Sequence, residues 1–154
     1  MDQNVIIERC TSIEQPGWLD LRLAIWPEDS AEQHLEEMSA SLGEPHRYVN
    51  FIAYSDARQP IGFAEASVRT DYVNGTESSP VAFLEGLYVV PDQRRKGVAA
   101  ALVTAVSEWG RSAGCSELAS DALLDNEISH AVHRSLGFSE TKRVVYFRKE
   151  LDRP

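Results

Sequence analysis

A mixed α/β domain is the fold class this sequence predicts, and three observations predict it. Segments rich in aromatic and β-branched residues alternate with segments of helical spacing in the order β, α, α, β, β, β, α, β, α, β. Proline and glycine punctuate these segments where the chain must stop or turn, at Pro27, Gly43, Pro91, Gly114 and Gly137. The 154 residues are 43% hydrophobic and 25% charged, a length and balance that suit one domain around one core.

Val5 to Cys10 opens the order as a short edge strand. Over 16–25, Trp18, Leu21 and Ile25 share one helical face, and Pro27 closes that helix because its ring cannot continue it. A second helix over 30–42 starts from an Asp29/Ser30 cap and stops at Gly43. Glu28, Asp29, Glu32, Glu36 and Glu37 crowd this region with no basic residue, which reads as a solvated acidic face in preference to a substrate-facing rim. Strand patterns over 47–54 and 60–70 flank the hairpin loop Ser55 to Gln59. Residues 71–80, with Tyr72 and Glu77, form a long polar connection of the kind that is functional or mobile in compact domains. A central strand over 83–90 and a helix from Val98 follow, the helix ending at Gly114. Cys115 to Ser120 reads as a strand leading into Asp121. The next helix begins near Asp125–Asn126, aligns Ile128, Val132 and Leu136, and ends at Gly137. Lys142 to Leu151 alternates as a strand at a sheet edge or in a hairpin does.

The segment from Glu85 to Ala99 organises the chain. It reads as strand, turn, basic loop and helix start, with Arg94, Arg95 and Lys96 just before Gly97. The first N–H groups of a helix have no partners inside it, and with the macrodipole they favour a phosphate or diphosphate; Gly97 lets the backbone approach such a ligand without a Cβ. A P-loop is excluded because Val98-Ala99 follows Gly97 where a Lys and a hydroxyl are required. A dinucleotide fingerprint is excluded because it needs three glycines and one is present.

Fifteen basic residues against 24 acidic ones give a formal charge of −9, which disfavours nucleic acid and favours a cationic partner, although acidity for solubility alone weighs equally. Cys10 and Cys115 stand far apart, with no His or Cys at metal-ligand spacing, and read as buried strand thiols; no metal site is expected. No apolar run has the length of a membrane span, and the first residues lack a basic n-region and an apolar h-region, so the expected location is cytoplasmic.

The pattern Arg94-x-x-Gly97-x-Ala99 resembles the acyl-CoA signature of the GNAT N-acetyltransferases, and the element order resembles theirs over the whole chain. Further segments, namely Ile25-Trp26-Pro27, Phe63 to Ser67, Asp71 to Gly75, Ser78 to Val81, Phe83 to Gly86, Ala119 to Asp121 and Asn126-x-Ile128-Ser129, are similar to the chromosomal-type aminoglycoside 6′-N-acetyltransferases. This resemblance implies a GNAT fold, with a mostly antiparallel, twisted sheet whose central strands splay. It implies acetyl-CoA as donor, an aminoglycoside 6′-amine as acceptor, direct transfer and a homodimer. Acetylation of another small amine, such as a polyamine, and a non-catalytic acyl-CoA sensor are the alternatives.

The site residues follow from the same resemblance. Arg95, Lys96, Gly97, Val98, Ala99 and Ala100 are expected at the diphosphate, Leu87, Tyr88 and Val89 at the pantetheine and thioester, and Asn126 at the pantetheine arm. The N–H of Leu87 is the candidate for polarising the thioester carbonyl. Trp26, Tyr72, Glu85 and Asp121 are expected at the acceptor, with Asp121 also accepting the proton of the amine. Read from the residues alone, Trp26 is core, Asp121 and Asn126 are caps, and Gly86 either admits a bulge or relieves crowding. The thiolate's acid in many relatives is a Tyr at the position of His133, which leaves His133 or Tyr146 as donor, or His133 as a packing residue. Lys142 stands where related enzymes tend to carry an acidic substrate contact, so that contact is not carried over.

Overall fold

In the computed structural model, residues 4–152 are described, and they divide into two compact units, one running to Asp121 and the other beginning at Ala122. The first unit is built on a five-stranded sheet in chain order, β1 (Ile6–Arg9), β2 (Tyr48–Tyr54), β3 (Pro60–Arg69), β4 (Val81–Val89) and β5 (Leu118–Ala119). Neighbours from β1 to β4 are antiparallel, and β5 joins β4 in parallel. β3, the middle strand, is buried along Ile61–Ser67 because helices cover both faces.

Helix α1 (Trp18–Ile25) and helix α2 (Ala31–Leu42) pack on one face of the sheet, where Trp18, Leu21 and Met38 meet Ile52, Tyr54 and Phe63. At 8 residues, α1 is too short to persist alone, since isolated helices below about 12–15 residues are marginal. Burial of Trp18 and Leu21, each contributing about 1.5–3 kcal/mol, holds it in place. The start of α2 is set locally: Ser30 Oγ accepts from the Gln33 N–H at 3.1 Å, and Gln33 returns the bond to the Ser30 N–H at 2.8 Å. On the opposite face, helix α3 (Val98–Ser112) inserts Val98, Leu102, Val103 and Val106. Gly62 of β3 makes room there, because a Cβ would stand 2.8 Å from the Tyr88 carbonyl oxygen and 3.3 Å from Leu102 and from Val98.

Two strand expectations are corrected. The fifth strand is limited to Leu118–Ala119, and Cys115 lies before it, buried in the turn where its N–H bonds the Gly110 carbonyl at 2.9 Å. Cys10 is likewise buried, just past the end of β1. In the second unit, α4 (Glu127–Ser135) forms as expected, with Asn126 accepting from the Ser129 N–H at 3.0 Å. The strand expected over Lys142–Leu151 is absent. Its alternation is real, but a strand needs the edge of another strand to bond, and among the described residues no strand of the sheet pairs with this segment.

Candidate active site

The site grows from an irregularity in β4. The register between β3 and β4 shifts between Glu65 and Ala66, so that Glu65 opposes Gly86, Ala66 opposes Leu84, and Glu85 is the extra residue of a bulge. The bulge lets Glu85 and Gly86 both serve the face that carries α1 and α2, where strict alternation would send one of them away. Glu85 accepts there from Ser67 Oγ at 2.7 Å and from Arg69 at 2.8 Å.

The bulge also re-aims the backbone. The Val90 N–H bonds the Ile61 carbonyl at 2.9 Å, so counting back by twos assigns the amides of Tyr88 and Gly86 to β3 and turns those of Leu87 and Val89 the other way. On that other side β5 pairs only through Ala82↔Leu118 and Phe83↔Ala119, while β4 continues to Val89. The two strands therefore part after Phe83, and the Leu87 N–H faces the opening. The Val89 carbonyl on this edge is taken by Arg94 Nε at 2.8 Å, which ties the basic loop to the strand and uses Arg94 for architecture.

Beyond the loop, Gly97 caps α3 with φ +86°, and a Cβ there would meet open space. The first helical bond runs from the Ala101 N–H to the Gly97 carbonyl at 3.0 Å, so the N–H groups of Val98, Ala99 and Ala100 precede the intrahelical ladder. No acidic residue lies in the first turn, and Arg95 and Lys96 are exposed beside it. An anionic ligand fits this end of the helix on space, dipole and charge alike.

On the α1/α2 face, a cavity of about 440 Å³ is lined by Trp26, Asp29, Glu37, Glu44, Glu65 and Glu85, among others. Five carboxylates meet one guanidinium there, that of Arg22. The acidic segment is largely solvated, with Glu28, Glu32, Glu36 and Glu37 exposed, and Asp29 and Glu37 also border the cavity, as the rim alternative has it. Trp26 is half-buried, packs edge-on to Phe63 and lies against Gly86, where a Cβ would come within 2.7 Å of Cη2. The close approach that Gly86 permits is thus that of a side chain. Gly86→Ala is expected to cost about 1–3 kcal/mol of stability, read by urea unfolding, because the obstacle is a ring held on several sides.

Tyr72 is 72% exposed on the 71–80 loop and is not among the residues lining the cavity. The loop is fastened at Val73, buried with Val81 and Phe83, and at Glu117, whose Oε1 accepts from the N–H groups of Glu77 and Ser78 at 2.9 and 2.7 Å and from Ser78 Oγ. These bonds, that of the Ser78 hydroxyl foremost, hold the Glu117 carboxyl below the usual carboxylate range. A depressed folded pKa stabilises above the unfolded value and is lost as pH falls through the folded one. Protection of the Glu77 and Ser78 amides in hydrogen exchange is therefore expected to fall on acidification below about pH 4.5 and to be lost at neutral pH in Glu117→Ala.

Asp121 is exposed two residues beyond the end of β5, past the point where β4 and β5 part. In the second unit, His133 Nδ1 lies 2.7 Å from the Ser129 carbonyl, so that nitrogen carries the hydrogen, and the ring packs edge-on to Phe138 at 5.2 Å. Tyr146 is 80% exposed and Lys142 is exposed. Among the described residues no group of three or more His, Cys, Asp or Glu is placed to hold a metal ion, and no helix is long and apolar enough to cross a membrane.

The sequence profile of the acetyltransferase (GNAT) family matches residues 11–138. The chain belongs to that family. Within it, this acetyltransferase is 55% identical over 134 residues to an aminoglycoside N(6′)-acetyltransferase type 1 of Acinetobacter genomosp. 13, an alignment covering 87% of this chain and 90% of the relative. It is 49% identical over 146 residues to that of Stenotrophomonas maltophilia, covering 95% and 94%. Among solved structures, AAC(6′)-Ih from Acinetobacter baumannii superposes with a TM-score of 0.91 at 48% identity, covering 97% of this chain and 100% of the other. AAC(6′)-Iy, in complex with the bisubstrate analogue CoA-S-monomethyl-acetylneamine, superposes at 0.90 with 43% identity, covering 96% and 99%. The parting of β4 from β5 is thus a feature of a GNAT fold.

Arg22, Glu44 and Glu65 were not singled out by the sequence, and Glu37 only as one of an acidic group. A readable signal existed for two of them. Arg22 follows Trp18 by four residues on the apolar face of α1, and Glu65 interrupts the apolar run Phe63-Ala64-Glu65-Ala66.

Proposed function

We propose that this acetyltransferase transfers the acetyl group of acetyl-CoA to the 6′-amine of aminoglycosides, and so confers resistance to them. The observation that carries the reading is the carboxylate-lined cavity, which meets the bulge of β4 at Glu85 on the same strand whose free edge leads to the α3 anion site. One strand serves both substrates. The similarity to aminoglycoside N(6′)-acetyltransferases over most of the chain supports the acceptor class. The family match crosses the boundary between the two units, which supports taking both as one catalytic domain.

In this reading the amides of Val98, Ala99 and Ala100, with Arg95 and Lys96, hold the diphosphate, and β4 residues Leu87 to Val89 align the pantetheine, joined by Asn126. The Leu87 N–H donates to the thioester oxygen and stabilises the charge that develops there. Glu85 and Trp26 hold the acceptor, with Tyr72 reaching it from the loop. The amine nitrogen attacks the carbonyl carbon, the C–N bond forms, its proton passes to Asp121, and the C–S bond breaks to leave a thiolate that takes a proton. His133 or Tyr146 supplies that proton. With Nδ1 bonded to the Ser129 carbonyl, His133 serves as an acid only as imidazolium, so a Tyr146→Phe and His133→Gln pair compared across pH assigns the donor.

A homodimer and a cytoplasmic location belong to the same proposal. Exposure of Leu123, Ile128, Val145, Tyr146 and Phe147 in the second unit supports self-association, and twice the 17.2 kDa chain mass by light scattering is the expected result. The free thiols Cys10 and Cys115 agree with a reducing compartment. The deciding experiment measures kcat/KM for a kanamycin-type drug, a drug with a 6′-hydroxyl, and spermidine, with the product mapped by NMR. Acetylation at N6′ of the first is expected; equal turnover of all three would assign the enzyme to amines in general, and no thiol release with any of them would leave an acyl-CoA sensor.

A further inference from the structure

We infer that Arg22 is a positioning residue for the acceptor, acting through Trp26: its guanidinium, buried among Glu65, His34 and Glu37, clamps the indole that faces Gly86 beside the reacting strand. The inference rests on the reading of the cavity as the acceptor site.

Arg22 is only 4% exposed, and each of its three guanidinium nitrogens has a partner. Nη1 donates to both oxygens of Glu65 at 2.6 Å, Nη2 donates to Glu37, and Nε donates to His34 Nδ1 at 3.0 Å. The last bond fixes the histidine. A nitrogen that accepts from a guanidinium carries no hydrogen, so His34 holds its hydrogen on Nε2 and donates it to the Trp26 carbonyl at 3.0 Å. The Cζ of the guanidinium lies over the Trp26 ring, 5.0 Å from its centre, and the His34 ring stacks on the same indole at 6.4 Å. Arg22 thus holds Trp26 twice, directly at the ring and through His34 at the backbone. Glu65 is fixed in turn by the Trp18 indole N–H at 3.1 Å.

Charge balance alone does not account for this geometry. A lysine would also neutralise Glu65, but a single ammonium cannot reach Glu65, Glu37 and His34 in the directions of the guanidinium's fork while sitting over an indole. The consequence falls on Trp26, which leaves α1 just ahead of Pro27 and has Gly86 against its edge, one residue from Leu87 and one from Glu85. A small shift of that ring moves the acceptor relative to the thioester, and a displacement near 1 Å is costly in an oriented reaction.

The test compares Arg22→Lys, which keeps the charge beside Glu65, and Arg22→Met/Glu65→Leu, which removes both charges and leaves neither buried alone, each with and without Trp26→Phe. Circular dichroism verifies folding, and Arg22→Lys serves if the double variant does not fold. The expected result is a rise of about tenfold in KM for a kanamycin-type acceptor, KM for acetyl-CoA within about twofold, and almost no additional rise when Trp26 is already Phe. Increased acrylamide quenching of the Trp26-dependent fluorescence accompanies it. Multiplying effects in the Trp26→Phe background, or an unchanged acceptor KM in folded Arg22→Lys, overturns the inference. Wild-type enzyme that fails to acetylate the drug overturns the reading of the cavity instead.

Discussion

Gly97→Asp is expected to weaken acetyl-CoA binding by about a hundredfold by calorimetry, with thermal unfolding shifted by only a few degrees. Gly97 has φ +86°, a conformation that asparagine and aspartate tolerate better than other residues with a Cβ, and nothing lies within 4 Å of the position a Cβ would take. Packing therefore contributes little to the cost. The damage is electrostatic and local. The new carboxylate would sit at the start of α3, where the free N–H groups of Val98, Ala99 and Ala100 gather, and would itself accept from them as a helix cap does. A diphosphate arriving there would meet an occupied and negative site. Gly97→Ala separates the contributions: it keeps the strain, adds no charge, and is expected to cost less than about tenfold. If Gly97→Asp binds acetyl-CoA like the wild type, the anion site lies elsewhere.

The β4–loop–α3 segment was legible because its chemistry is local. A strand, a proline stop, three basic residues and a glycine at a helix start act on one another within a few residues, and the structure has each of them in the expected place. The helices over 18–25 and 31–42 were legible for the same reason, through an apolar stripe closed by Pro27 and a cap at Asp29/Ser30, which the structure assigns to Ser30. What local pattern does not carry is pairing. Lys142–Leu151 has the alternation of a strand, but alternation specifies which face a side chain takes and says nothing of which edge the backbone will bond. The bulge was half legible for a related reason: Gly86 pointed to one, but which residue is extra, Glu85, is a property of the register between two strands.

The acceptor side shows the limit most clearly. Arg22 and Glu65 are 43 positions apart, and each by itself is a charge in an apolar pattern, which reads as an interruption. Together they make a buried ion pair whose geometry orients Trp26. Glu37 was grouped with its acidic neighbours because composition weighs them equally; it is exposed, as Glu36 is, but its place on α2 also lets it pair with Arg22. The sign of the charge was readable and its direction was not.

Asp121→Asn is expected to lower kcat by about 10²–10³-fold while leaving KM for acetyl-CoA within about twofold. A cavity bordered by Asp29, Glu37, Glu44, Glu65 and Glu85 attracts an ammonium group, and the same field stabilises the charged form, so the groups that recruit the amine oppose its deprotonation. Attack on the thioester needs the lone pair. A separate proton acceptor has to stand at the reacting end, and Asp121 follows β5 where that strand has left β4 and the Leu87 N–H is open. Asparagine keeps the shape and hydrogen-bonding reach of the side chain but can neither take the proton nor carry the charge. It is also as good a helix or turn cap as aspartate, so a purely structural Asp121 predicts wild-type kcat in this variant. Single-turnover acetyl transfer with saturating acetyl-CoA distinguishes the two. A slow chemical step with normal cofactor binding assigns Asp121 to the proton, whereas weak acetyl-CoA binding by calorimetry would reassign it to the cofactor or the fold.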